Sequence, residues 1–138
     1  MIDHLHIKPF TEKRVWEYLR DILAVAEDVP GEYWEREHFL SQRPEKFQLS
    51  FVVCNENHPI AYSVMSRKSP EQVYIHHFMV ARSYRNRGLG SQMIKEAVER
   101  AKKAGATEIA LKAPSPDAQR FYRRHGFVET GDCYLLVW

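Results

Sequence analysis

The sequence predicts a single α/β domain over residues 1–138, with a mixed, mostly antiparallel sheet of six to seven strands flanked by about four helices. Strand-like and helix-like segments follow one another in the order strand, two helices, three strands, helix, strand, helix and two strands. Because hairpins alternate with helical crossovers in this order, the strands should run in mixed directions. The chain has 138 residues, 44% of them hydrophobic, which suits one compact core.

The first third of the chain predicts a strand and two helices. Residues 5–10 form the strand, and Thr11 is a suitable N-cap for a helix whose apolar residues recur at helical spacing as far as Ala26. A proline-glycine pair then interrupts the pattern. A weaker helix is expected over residues 32–42, and Pro44 closes it.

The middle of the chain predicts three strands. Residues 49–54 and 60–66 are hydrophobic segments joined by residues typical of turns, which indicates a hairpin. Residues 73–80 are an almost continuous apolar and aromatic run. Such a run is typical of a central strand that is covered on both faces.

The last third predicts two helices among short strands. Residues 90–104 carry apolar side chains on one face, and Gly105 is well placed to end that helix. Ser115 and Pro116 supply an N-cap and an N1 proline for a helix that stops at Gly126. The remaining strands are expected at 108–113, 127–130 and 134–138.

Composition and charge exclude several classes of protein. The formal net charge of +2 at pH 7 is too small to predict nucleic-acid binding by itself. No apolar run approaches the roughly 20 residues of a membrane-spanning helix, and the first residues do not resemble a signal peptide. We therefore expect a cytoplasmic protein that binds neither nucleic acid nor membrane. Cys54 and Cys133 are too few for a disulfide framework, so reduced thiols are expected.

A basic loop containing two glycines follows the strand that ends at Val80. Residues 80–91 are Val-Ala-Arg-Ser-Tyr-Arg-Asn-Arg-Gly-Leu-Gly-Ser, and they lead directly into the next helix. Gly88 and Gly90 have no Cβ, so backbone N–H groups can approach an anion, and the helix N-terminus adds unpaired donors. No Lys-Ser/Thr pair follows the second glycine, as a Walker loop requires, and the third glycine of a dinucleotide fingerprint would fall at Met93. The loop therefore predicts another kind of phosphate site.

Two blocks of the sequence resemble the GNAT superfamily of N-acetyltransferases. Residues 85–90 have the pattern Arg-x-x-Gly-x-Gly, which is similar to the family's signature for the coenzyme A pyrophosphate. Residues 118–127 have the pattern Ala-x-x-Phe-Tyr-x-x-x-Gly-Phe, which is similar to a later block of the family. The predicted element order also matches the GNAT topology from end to end.

The resemblance implies acetyl-CoA as cosubstrate. By the resemblance, the backbone of Met79 and Val80 is expected to pair with the pantetheine arm like an added strand, and residues 85–91 are expected to hold the pyrophosphate. In the family the sheet is splayed beside the strand that ends at Val80, so that the thioester lies between it and the strand over 108–113. The residues expected to bind the cosubstrate are Phe78, Met79, Val80, Arg85, Asn86, Arg87, Gly88, Leu89, Gly90, Ser91 and Tyr122.

Acetyl transfer to an amine needs a neutral nucleophile, a donor for the developing oxyanion and a proton for the departing thiolate. By the resemblance, Tyr122 matches the family's thiolate-protonating tyrosine. A tyrosine ordinarily stays protonated up to a pH of about 10 and can therefore act as an acid. The backbone N–H of Val80 is the expected oxyanion donor.

The general base stays open among three routes, because the strand lacks the glutamate that some family members carry. His76 could draw the proton through water, Glu71 lies just before the strand, and ordered water could act without a base. Regular alternation would put His76 on the face of Tyr74 and Phe78 and His77 on the other face. The two histidines are then not expected to bind one metal ion, and no metal site is predicted.

The predicted function is an N-acetyltransferase acting by direct attack of a primary amine in a ternary complex, with a small molecule as the leading acceptor. A protein N-terminus or lysine, and a non-catalytic acyl-CoA sensor or interaction module, are the alternatives. Association of two chains through exposed sheet edges stays open. Acidic residues between Glu27 and Glu37 could steer a cationic amine or form a solvated surface, and Trp34 could be an aromatic wall or part of the core.

Overall fold

The computed structural model describes residues 5–27 and 34–138, and within these ranges seven strands form one mixed sheet. The strand order is β1-β2-β3-β4-β5-β7-β6, and only β4 and β5 run parallel to each other. The strands are β1 (Leu5–Pro9), β2 (Phe51–Asn55), β3 (His58–Arg67), β4 (Gln72–Val80), β5 (Glu108–Leu111), β6 (Val128–Thr130) and β7 (Cys133–Val137). The predicted α/β class and mixed sheet are thereby confirmed.

The described ranges contain six α-helices, two more than predicted. They are α1 (Glu12–Glu17), α2 (Leu19–Ala26), α3 (Arg36–Leu40), α4 (Lys46–Leu49), α5 (Leu89–Lys103) and α6 (Pro116–Arg124). The predicted caps are confirmed, since the side chain of Thr11 accepts from the backbone N–H of Arg14, and that of Ser115 accepts from Ala118.

The first predicted helix is two helices, because the backbone of Tyr18 leaves the helical region at φ −108° and ψ 15°. The second predicted helix is shorter than expected. Glu35 begins it through a capping box with His38, and the extended backbone of Ser41 ends it. The predicted break at Pro30-Gly31 and the first two residues of that helix, Glu32 and Tyr33, lie outside the described residues.

Helix α4 was not predicted, because a segment of four residues shows no periodicity. It occupies the segment before β2, where Leu49 was expected to begin a strand. Glu45 precedes it in the left-handed region at φ 57°.

Helices cover both faces of the sheet. On one face, which we call the α1–α3 face, the buried side chains of Val15, Ile22 and Phe39 share a core with Val52, Tyr62 and Val64. On the other, the α5–α6 face, Met93, Ala97 and Tyr122 share a core with Val53, Ile75 and Ile109. The near-continuous apolar pattern of β4 is explained by these two layers.

The shortest helices are fastened by a buried lysine. Lys46 is 1% exposed, and its Nζ donates to the carbonyl oxygens of His38, Phe39 and Ser41 at 3.1, 2.6 and 2.7 Å. Burial, and after it the positive charge of Arg43, lower the pKa of Lys46 to about 8, so the side chain is still protonated at pH 7. The ammonium group therefore satisfies carbonyls at the C-terminal end of α3 that have no partner within the helix.

We expect Lys46→Met to lower the free energy of unfolding by about 2 kcal/mol, because buried carbonyls of α3 lose their donor while the apolar volume is kept. Urea-induced unfolding measures this. Lys13→Met is the matched control: its side chain is 85% exposed, and the change should be within about 0.5 kcal/mol. Equal midpoints for the two variants would show that Lys46 does not hold α3.

Candidate active site

A cleft opens in the sheet where β4 and β5 part. The two strands pair only from Gln72–Ile75 to Glu108–Leu111, although β4 continues to Val80. The cleft beyond this pairing has a volume of about 1290 Å³ and is lined by β4, the loop before α5, the segment after β5, and α6. The splay that the sequence could not show therefore begins inside β4, after Ile75.

A β-bulge lies at the point where the strands separate. Val64 pairs with His77 and Met65 pairs with Ile75, so His76 is an extra residue in β4. Cross-strand partners share a face, and His77 consequently faces the same side of the sheet as Tyr62, the α1–α3 side.

Regular alternation, which would separate His76 from His77, is therefore wrong for this strand. Both rings contact residues of one β3 face, since His76 Nε2 lies 2.6 Å from Ser66 Oγ and His77 Nδ1 lies 2.6 Å from Tyr62 Oη. Phe78 is instead on the α5–α6 face, where its ring contacts Phe121. One inserted residue changed the side of every later side chain on β4.

The end of β4 presents main-chain groups to the cleft. The N–H of Ala81 donates to Ile60 O at 2.8 Å, and peptide groups alternate in direction along a strand. The N–H and carbonyl groups of Phe78 and Val80 are therefore directed away from β3, toward the side on which β5 no longer pairs, whereas those of Met79 face β3. This is the geometry that an extended ligand needs to add to a strand edge.

The loop after β4 is held in a compact shape by its own contacts. Arg85 Nε donates to Val80 O at 2.8 Å, and Tyr84 Oη accepts from Asn55 Nδ2 at 2.5 Å. Gly88 has a positive φ of 81° and directly precedes α5. A side chain there would be strained, so glycine suits this position.

The N-terminus of α5 opens on the cleft. Within residues 5–27 and 34–138, no side chain caps this end of the helix. Gly90 and Ser91, in its first turn, line the cleft. A 15-residue helix with uncapped N–H groups and a positive dipole end is suited to bind an anion.

Most residues predicted to bind the cosubstrate come together here. Those that line the cleft are Phe78, Met79, Val80, Arg85, Asn86, Gly88, Gly90, Ser91 and Tyr122. Two predicted residues do not line it. Leu89 is 3% exposed and packs in the core, while the guanidinium group of Arg87 lies over the ring of Tyr84.

Tyr122 lies in the wall that α6 contributes. It is 7% exposed, and its ring packs against Phe78, Phe121 and Phe127 at centroid distances of 6.1, 5.1 and 5.4 Å. Phe121 in turn fixes the spacing between α6 and α5, because a Cβ on Gly90 would lie 3.1 Å from its ring. The second glycine of the loop thus allows the two helices to approach closely.

The opposite wall contains residues that the sequence did not identify as part of a site. The ring of Trp34 stacks on His77 with centroids 4.6 Å apart and an interplanar angle of 6°, and both residues line the cleft. The sequence left open whether Trp34 was core or wall, and it is both. No signal in the sequence marks the bulge that turns His77 toward Trp34.

His76 also lines the cleft, but its environment favours the neutral ring. Burial, and after it the positive charges of Arg43, Lys46 and Lys68, lower the pKa of His76 to about 4. Glu71 is exposed and lies at the paired end of β4, where its carbonyl oxygen accepts from Thr107 and Glu108. Glu71 is not among the residues that line the cleft.

In the acidic segment from Glu27 to Glu37, Glu27 is exposed, whereas Glu35 and Glu37 have structural partners. Glu35 caps α3, and Glu37 pairs with Arg36 at 3.0 Å. A hydrogen bond from its own backbone, and then one from Arg36, lower the pKa of the Glu37 carboxyl. Asp28 and Glu32 lie outside the described residues.

The charged side chains that line the cleft are mostly cations. In the described chain they are Arg85, Lys112, Asp117, Arg120, Arg123 and Arg124. The carboxylate of Asp117 is paired with Arg120. The site therefore suits a ligand with several negative charges.

Within residues 5–27 and 34–138, no group of three or more histidine, cysteine or acidic residues is close enough to hold a metal ion, and no helix is long and apolar enough to cross a membrane. Cys54 and Cys133 are free thiols.

The chain has recognisable relatives. Residues 13–127 match the acetyltransferase (GNAT) family. The chain is 24% identical over 87 residues to Acetyltransferase Atu2258 of Agrobacterium fabrum, and the aligned region covers 63% of this chain and 64% of that protein. It is 32% identical over 107 residues to the uncharacterized N-acetyltransferase MJ1207 of Methanocaldococcus jannaschii, and the aligned region covers 70% of this chain and 46% of that protein. The matches thus span less than two thirds of either relative.

A solved structure shows the same fold over almost the whole length. Ard1 from Thermoplasma volcanium superposes with a TM-score of 0.81 at 20% sequence identity, and the match covers 97% of each chain. The expected family topology is confirmed by this likeness and by the sheet order. Because the family match covers most of the sequence and the fold agrees with it, the chain belongs to the acetyltransferase (GNAT) family.

Proposed function

We propose that this protein transfers the acetyl group of acetyl-CoA to a primary amine, by direct attack of the amine on the thioester in a ternary complex. One observation carries the proposal: a single cleft joins the uncapped N-terminus of α5, the free edge of β4, and Tyr122. Membership of the acetyltransferase (GNAT) family implies acetyl-CoA-dependent acyl transfer and supports it.

The residues of the cleft fit the parts of coenzyme A. The loop around Gly88 and the first turn of α5 suit the diphosphate, because backbone donors and a helix dipole point at one place. The main-chain groups of Phe78, in place of those expected from Met79, suit the amide-containing pantetheine arm. The carbonyl oxygen of Val80 already accepts from Arg85, and its N–H is left for the oxyanion. Arg85 contributes charge and also fastens the loop to the end of β4.

We expect Gly90→Glu to weaken acetyl-CoA binding at least tenfold in calorimetric titration. The new side chain would begin 3.1 Å from the ring of Phe121 and would add a negative charge where the diphosphate binds. Gly131→Glu makes the same change in the turn between β6 and β7, where no atom lies within 4 Å of the new Cβ, and should leave affinity unchanged. Equal affinities for both variants would refute the assignment of the loop.

The chemical step needs little more than positioning and two donors. The amine nitrogen forms a bond to the acyl carbon, and the carbon-sulfur bond then breaks. The N–H of Val80, directed at the cleft, is placed to stabilise the oxyanion. The nitrogen, which becomes positively charged in the attack, then releases one proton to solvent. The hydroxyl of Tyr122 gives its proton to the departing thiolate and regains one from solvent.

Tyr122→Phe should lower kcat about 10- to 100-fold while changing the acetyl-CoA Kd by less than about threefold, because only the proton donor is lost and the ring is kept. Thiol release and calorimetric titration give the two values. Tyr74→Phe removes a hydroxyl from β4 outside the cleft and is the control. An unchanged kcat would remove Tyr122 from the reaction.

Of the three routes for the amine proton, the structure supports the one through water. An alkylammonium has a pKa of about 10, so proton transfer to a group with a pKa of about 4, such as His76, costs about 8 kcal/mol. Glu71 lies outside the cleft lining. The acceptor therefore loses its proton to solvent before attack.

We expect kcat/KM for the amine, measured at saturating acetyl-CoA, to rise about tenfold per pH unit from pH 6 toward the pKa of the amine. His76→Gln and Glu71→Gln should each keep at least about a third of the activity and the same profile. A profile that levels off near neutral pH and is lost in one of these variants would identify that residue as the base.

The leading acceptor class is a small amine. Trp34 stacks on His77 in the wall of the cleft, and an aromatic ring in such a wall can attract an ammonium group or pack on an apolar stem. A panel of small amines, amino acids and short peptides, followed by thiol release, tests the class. Turnover of peptides alone would show that the acceptor is a protein and not a small molecule. Saturable acetyl-CoA binding without any amine-dependent turnover would indicate a non-catalytic sensor.

A further inference from the structure

His125 makes two hydrogen bonds that join α6 to the first turn of α5. Its Nδ1 lies 2.8 Å from the carbonyl oxygen of Phe121, and its Nε2 lies 2.8 Å from Ser91 Oγ. The ring also packs on that of Phe121, with centroids 4.5 Å apart. Ser91 lines the cleft at the N-terminal end of α5, whereas His125 does not.

The partners of His125 determine which nitrogen of the neutral ring carries the proton. A carbonyl oxygen can only accept, so Nδ1 must donate to Phe121. Nε2 of the neutral ring is then an acceptor, and the hydroxyl of Ser91 must donate to it. In this state the Ser91 proton points at His125 and is not available to an anion in the cleft.

A bound diphosphate reverses this preference. Phosphate oxygens accept hydrogen bonds, so Ser91 can donate to one and still keep its hydrogen bond to His125 only if Nε2 of His125 becomes a donor. That requires the imidazole to take up one proton from solvent. The resulting chain runs from Nε2–H to Ser91 Oγ and from Ser91 Oγ–H to the phosphate.

The charge of the diphosphate favours the same coupling. The two helices that His125 joins carry charged side chains of both signs, which include Lys95, Glu96 and Glu99 on α5 and Asp117, Arg120, Arg123 and Arg124 on α6. A diphosphate at the N-terminus of α5 adds negative charge on the side of Ser91, and a nearby negative charge favours the protonated form of an imidazole.

We propose that His125 is a positioning residue for the diphosphate of acetyl-CoA, which acts through Ser91 and couples cosubstrate binding to the uptake of one proton. The inference rests on the proposed phosphate site at the N-terminus of α5. Cosubstrate affinity then falls as the pH rises, because the protonated ring is the form that releases the Ser91 hydroxyl.

Calorimetric titration with dephospho-CoA tests the coupling, since this ligand lacks the 3′-phosphate that itself titrates near pH 6. Titrations in buffers of different ionisation enthalpy give the number of protons taken up. For a tenfold coupling, linkage predicts the uptake of a fraction of one proton per ligand, and binding that is tighter at pH 6 than at pH 8 by up to tenfold.

Three variants distinguish the proposed hydrogen-bond chain from His125 through Ser91 to the phosphate, which we call the relay, from a merely structural role of His125. His125→Gln can still hydrogen-bond but cannot titrate, and Ser91→Ala breaks the chain, so each should abolish proton uptake and flatten the pH dependence of affinity. His6→Gln, on the exposed edge strand β1, should keep both. Thermal unfolding of each variant reports on the fold.

The outcomes are distinct. Tight binding without proton uptake in the native protein overturns the relay and leaves the proposed function intact. Proton uptake that persists in the Ser91→Ala variant has the same two consequences. A loss of affinity in His125→Gln by the same factor at every pH shows a structural role only. An absence of any coenzyme A binding overturns the relay and the proposed function together.

Discussion

The architecture of the site depends on the early parting of β4 from β5. The two strands share only four residue pairs, and the bulge at His76 lies directly after the last of them. A bulge increases the local twist of a strand, and a twisted strand cannot keep a straight parallel neighbour. The main-chain groups that β5 would have satisfied are left facing a cleft, and an extended ligand can take the place of the missing strand.

The same bulge determines which face of the sheet each side chain of β4 occupies. Before it, Ile75 packs on the α5–α6 face, and after it Phe78 returns to that face, so the core beneath the cleft remains continuous. The extra residue places His76 and His77 together on the α1–α3 face, beside Ser66 and Tyr62. Without the bulge, one of these histidines would lie under α5 and α6.

Contacts between α5 and α6 join two parts of the cleft. Phe121 approaches α5 where Gly90 leaves space, and the next residue, Tyr122, is directed into the wall beside Phe78. His125, one turn later, reaches Ser91. Residues of one short helical segment thus contact both the proposed diphosphate site and the proposed place of the thioester, because residues three and four apart share a helix face.

The class of fold, most strands and the caps at Thr11 and Ser115 could be predicted from the sequence, and so could the glycine loop and Tyr122 as parts of one cleft, because these features follow from local periodicity, local hydrogen bonds and contiguous motifs. The break at Tyr18, helix α4 and the buried role of Lys46 depend on neighbours that are distant in sequence or on segments too short to show a period. Long-range packing sets the face that His77 occupies, the stacking of Trp34 on it, and the contact of Ser91 with His125. The register of β4 against β3 and the packing of α6 on α5 set these contacts, and neither is encoded in any single stretch of the chain.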